Sequence, residues 1–154
     1  MGTDGVIGRG MNDFAAARQT KKQHSGIVVS LEPEDGKSFS NSAYLDAAKE
    51  LSDNLVKTYN ANPNKVSISG CSYGGSGVQH MIERFPGYFS QAVILGQGVG
   101  AIGRESGNNK EEAYQKIINT KVHIICGTAD SPNYGELSRL YNTLKSLGGN
   151  VTCE

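Results

Sequence analysis

Long apolar runs, an excess of charge of either sign, paired cysteines and clustered metal ligands are all missing from this chain of 154 residues. No stretch reaches the roughly 18 consecutive apolar residues of a membrane-spanning helix. The start lacks the basic, apolar and small-residue zones of a secretion signal, so neither a span nor a leader is expected. The 15 basic and 15 acidic residues cancel to a formal charge of +0 without forming a basic stripe. That removes the electrostatic footprint of nucleic-acid binding and suits a neutral or weakly polar small molecule. The three cysteines, Cys71, Cys126 and Cys153, are an odd number and read as free thiols, the first two at buried strand ends. Together with the absent leader they lean towards the cytoplasm, secretion staying open if the chain is truncated at its N-terminus. Histidines and cysteines are too scattered for metal-ligand spacing, and no metal is expected. Asn150-Val151-Thr152 fits a glycosylation acceptor, but so short a triplet assigns no compartment.

What is present is an alternation of β-type runs with helical periodicity, the pattern of an α/β fold with a mostly parallel sheet. A chain of this length suits one domain, spanning 1–154, that buries roughly 70% of its unfolded surface. Gly26 to Leu31 reads as a first strand, ended by Pro33 and Gly36. Tyr44, Ala47, Ala48, Leu51, Leu55 and Tyr59 recur at helical steps behind an Asn41 or Ser42 cap. Asn62-Pro63-Asn64 then turns the chain into a strand over Val66 to Ser69. Val78, Met81, Ile82 and Phe85 mark a helix stopped by Pro86-Gly87. Further strands are expected over Gln91 to Leu95 and Val122 to Cys126, with a helix over Glu111 to Asn119 between them. A last helix covers Glu136 to Leu147 before Gly148-Gly149, and Val151-Thr152-Cys153 begins another strand.

Between the second strand and its helix stands Gly70-Cys71-Ser72-Tyr73-Gly74, the G-x-S-x-G spacing of a nucleophile elbow. A serine there sits on a strained turn with its hydroxyl exposed, and its neighbours need almost no bulk. Ser72 is therefore the candidate nucleophile, with Gly70 and Gly74 as the elbow glycines. The N–H of Tyr73, at the helix start, is the expected oxyanion donor, aided by the helix dipole. Gly2-Thr3-Asp4-Gly5 could hold a second donor or be a plain glycine-rich terminus. An acid belongs at the carboxyl end of a later parallel strand, and Asp130, in Gly127-Thr128-Ala129-Asp130, stands there. An aspartate in such a loop is otherwise a turn residue or a helix cap.

A serine nucleophile needs a base within hydrogen-bond reach, and none of the three histidines suits. His24 precedes the first expected strand, His80 lies two turns along the helix on its polar side, and His123 is inside a strand. One competing motif, Gly98-Val99-Gly100-Ala101-Ile102-Gly103, spells a dinucleotide fingerprint. It requires a helix directly behind the glycines and an acid about 20 residues on, and neither is found. No cofactor is expected.

From Asn64 to Gly98, the G-C-S-Y-G-G run, Arg84-Phe85-Pro86 and Phe89-Ser90-Gln91-Ala92-Val93 resemble the α/β-hydrolase superfamily. The likeness is nearest to its carboxylesterase branch of polyester-depolymerase-like and feruloyl-esterase-like enzymes. Ser-Tyr-Gly-Gly and Gly-Thr-Ala-Asp also look like prolyl-oligopeptidase-type peptidases, and these motifs do not separate the two. The resemblance implies a three-layer αβα sandwich, a small ester substrate and an acyl-enzyme formed on Ser72 with Asp130 as the acid. It also implies strands before Ile27 and a catalytic histidine beyond Glu154, so that the chain reads as a partial domain whose lone activity is open.

Overall fold

The computed structural model describes residues 26–31, 38–96 and 101–154. The chain divides into two compact units, Met1–Ala61 and Asn62–Glu154. In the first, α1 (Ser42–Thr58) starts where Asn41 Oδ1 accepts the Tyr44 N–H at 3.3 Å, and it carries Lys57 in its last turn. Both ends follow the usual logic, with a side-chain acceptor for an orphan N–H and a cation against the carboxyl end of the dipole. Its buried residues are Leu45 and Ala48, whereas Ala47, Leu51 and Tyr59 are exposed. Tyr44 and Leu55 are half-buried, so the buried stripe overlaps the one that the sequence suggests and is turned towards Leu45. Gly26 to Leu31 forms no strand, and Ile27 is 45% exposed. An apolar run supplies β propensity, but a strand exists only where a neighbour takes its backbone hydrogen bonds.

The second unit is an α/β structure. Asn62 opens it, its Oδ1 accepting the Asn64 N–H at 2.9 Å over a 3-10 turn at Pro63–Lys65. Then come β1 (Ser67–Cys71), α2 (Tyr73–Arg84) and β2 (Gln91–Leu95). After a 3-10 turn at Arg104–Ser106 follow α3 (Lys110–Ile117), β3 (Lys121–Ile125), α4 (Ser131–Ser146) and β4 (Val151–Cys153). The four strands lie in the order β1-β2-β3-β4, every pair parallel. Gly70 stands beside Ile94 and Ile94 beside Ile124, so one register runs across the sheet.

Strand residues alternate in environment. Ala92, Ile94, Val122, Ile124 and Val151 are buried, and with them Val78, Met81 and Ile82 of α2, Ala113 and Ile117 of α3, and Leu137, Leu140 and Leu144 of α4. Each Val, Leu, Ile or Met side chain among them contributes about 1.5–3 kcal/mol when fully buried. α2 packs on β1 and β2, and α4 on β4. On the other face Val93, Leu95 and His123 are half-buried, while Cys71 and Ile125 are exposed. Cys71 therefore departs from the expected burial, because it sits one residue past Gly70 and points to the opposite face. Both Cys71 and Cys153 are free and exposed, and only Cys126 is buried.

Candidate active site

β1 ends at Cys71 and α2 starts at Tyr73, which leaves Ser72 to make the whole turn. It does so with φ 55° and ψ −121°, a positive φ that L residues other than glycine rarely adopt. Holding a residue in such a region costs of the order of 1–3 kcal/mol, so the surroundings must impose it. Three backbone hydrogen bonds do. The Ser72 N–H donates to Leu95 O at 2.9 Å, and Ser72 O accepts from the N–H of Gly75 at 2.8 Å and of Ser76 at 3.3 Å. Serine at a helix start ordinarily caps it with its hydroxyl. Ser72 makes no such bond, and its side chain is half-buried at the carboxyl edge of the sheet.

The two glycines of the motif differ. A Cβ on Gly70 would lie 2.1 Å from Gly74 O and 2.9 Å from Gly75 N, so the strand and the helix start touch backbone to backbone. A Cβ on Gly74 would meet nothing within 4 Å. Tyr73, the first residue of α2, has an N–H with no acceptor four residues back inside the helix, and the residue is 61% exposed.

Asp130 follows β3 through a turn closed by its N–H to Gly127 O at 3.0 Å, and its carbonyl accepts the Tyr134 N–H at 2.8 Å to begin α4. By position it is the helix cap, yet its side chain caps nothing. The carboxylate instead accepts from Asn133 Nδ2, at 2.9 Å to each oxygen. Gly96, with φ 60°, lies alongside, its Cβ position 4.0 Å from Asp130 Oδ2. Because the Gly96 N–H donates to Ile125 O at 2.8 Å and the Ser72 N–H to Leu95 O, the ends of β1, β2 and β3 form one ledge. The ledge brings Ser72 and Asp130 to the same edge with β2 between them.

The described histidines are engaged elsewhere. His80 is 3% exposed rather than on a polar side, and its Nδ1 lies 3.0 Å from Glu105 Oε1. It also stands about 12 Å along the helix from Ser72, at 1.5 Å per residue. His123 sits in the middle of β3 with Nδ1 2.7 Å from Thr152 Oγ1. His24 and Gly2 to Gly5 lie outside the described residues.

One polar cluster went unread in the sequence. Arg84 Nη1 also donates to Glu105, at 3.1 Å, and the fully buried Glu83 accepts the Gly103 N–H at 2.8 Å through Oε2. Its Oε1 is buried without a hydrogen-bond partner. The signal was the spacing of His80, Glu83 and Arg84, which puts three polar groups on one helix face. The same geometry bears on the dinucleotide motif. Gly103 has φ 97° and its N–H is committed to a carboxylate, while the next α-helix begins only at Lys110. Gly98 and Gly100 lie outside the described residues. Beside the ledge, burial pushes the Cys126 thiol up from 9.0, with smaller contributions from the charge on Asp130 and from Cys153. Among the described residues no group of three or more His, Cys, Asp and Glu side chains could hold a metal ion. Comparison with protein-family models finds no match, and comparison with curated proteins finds none either.

Proposed function

We propose that this chain carries the nucleophile and the acid of a serine hydrolase of α/β-hydrolase type, within a three-layer αβα arrangement, acting on a small carboxylic ester. The observation that carries the reading is the backbone of Ser72, a non-glycine residue held at φ 55° between a strand and a helix, with its hydroxyl left out of the cap. Strain of this kind persists where a reactive group has to be presented. In the proposed reaction Ser72 Oγ adds to the acyl carbon while its proton passes to a base. The oxyanion faces the Tyr73 N–H, and the alcohol leaves with the proton. Water then releases the acid from the acyl-enzyme by the reverse sequence. Asp130 would orient the base and stabilise its charged form.

His80 and His123 are bonded to Glu105 and Thr152, and that observation favours a second reading, a hydrolase-like domain that binds without turnover. Incubation with a fluorophosphonate probe in imidazole buffer, where free imidazole stands in for the base, separates the two. Labelling that disappears in Ser72→Ala supports acyl transfer. Absence of labelling in imidazole rejects it and leaves the binding domain. Rates on a short-chain acyl ester and on a proline-containing amide then divide esterase from peptidase, the ester being the expected substrate.

A further inference from the structure

Asp130 occupies the cap position of α4 but accepts none of its backbone N–H groups. One local reason is Pro132 in the first turn, which has no N–H to give. The donor that replaces a backbone N–H is a side chain of the same helix. Asn133 Nδ2 lies 2.9 Å from both Asp130 oxygens, and Asn133 is itself half-buried. We propose that Asn133 is the positioning residue for the Asp130 carboxylate, a role that rests on the serine-hydrolase reading.

The chemistry suits that role. A carboxylate offers about four lone-pair sites on two oxygens, and one amide nitrogen between the oxygens leaves the outer sites open to a base. An amide is also neutral. A lysine or arginine in its place would neutralise the carboxylate and compete with a charged imidazolium, whereas asparagine fixes orientation and leaves the charge intact. The flank towards Gly96 is open, since even a methyl there would stand 4.0 Å from Oδ2.

Two measurements test the role. In NMR spectra, the side-chain amide protons of Asn133 should be shifted and slow to exchange in the wild type, and should lose both features in Asp130→Ala. Unchanged resonances would overturn the pairing. In fluorophosphonate labelling with imidazole, Asn133→Ala should lower the limiting labelling rate by roughly 10- to 100-fold, the scale set by a misplaced catalytic group. The half-saturating probe concentration should not move, because Asn133 is assigned no contact with the acyl group. The double exchange Asp130→Asn with Asn133→Asp should fold with the pair regenerated, yet label as poorly as Asp130→Asn alone. A folded Asn133→Ala protein that labels within twofold of the wild-type rate overturns the positioning role. Absence of Ser72-dependent labelling in the wild type is a different failure: it rejects the hydrolase reading, and the catalytic role with it.

Discussion

Gly70 and Gly74 look equivalent in the motif but differ in what they allow. A methyl on Gly70 would overlap the Gly74 carbonyl at 2.1 Å, and backbone at both ends of that contact cannot swing aside. Gly70→Ala is expected to cost about 3 kcal/mol or more, the upper end of overpacking. Gly74 lies in α2 with open space where a Cβ would stand. Gly74→Ala should therefore stabilise the helix by up to about 1 kcal/mol. Chemical denaturation of the two variants checks the contrast, and equal losses would mean that the turn is not built on the Gly70 contact. Spacing alone placed both glycines at the turn. It could not tell which one touches backbone, because that depends on how closely the helix start returns over the strand.

α2 is the element on which the site is hung. Ser72 stands at its start, and its far half carries His80, Glu83 and Arg84 towards residues 101–109. Glu83 is fully buried with one oxygen bonded to the Gly103 N–H and the other without a partner. Removing the acceptor leaves a buried N–H unsatisfied, so Glu83→Ala should cost about 1–3 kcal/mol from that source alone. Glu83→Gln keeps an acceptor for the Gly103 N–H and leaves its amide in place of the unpartnered oxygen, so it should lose less stability than Glu83→Ala. Thermal melts of the pair decide this, and a Gln variant as unstable as the Ala variant would show that the Gly103 hydrogen bond is not what Glu83 contributes. The helix was legible from Val78, Met81 and Ile82. The burial of His80 was not, because its partner Glu105 stands 25 positions away. The expected strand at Gly26 to Leu31 missed for a related reason: its apolar residues describe what a strand would bury, and among the described residues no neighbouring strand takes up its backbone.

Among the described residues, Cys126 links folding to pH. Burial raises its thiol above 9.0, so the folded state favours the neutral form. The associated stability is fully present below the unfolded value and declines as pH rises past it towards the folded one. Denaturation midpoints should therefore fall as pH rises past the ordinary thiol value of 9.0, and less steeply in Cys126→Ala. At mildly alkaline pH, Cys71 and Cys153 should react with a disulfide reagent before Cys126, as their exposure dictates. A pH profile identical in wild type and Cys126→Ala would rule out this source. By itself the sequence determined what nearest neighbours decide: the strand, turn and helix around Ser72, the parallel α/β alternation, and the turn that sets Asp130 after β3. Each depends on φ, ψ and periodicity within about ten residues. Only the tertiary structure decided that Ser72 and Asp130 share one ledge and that His80 and His123 have other partners. Those outcomes follow from strand register and side-chain rotamers, which bring together atoms that the chain order keeps apart.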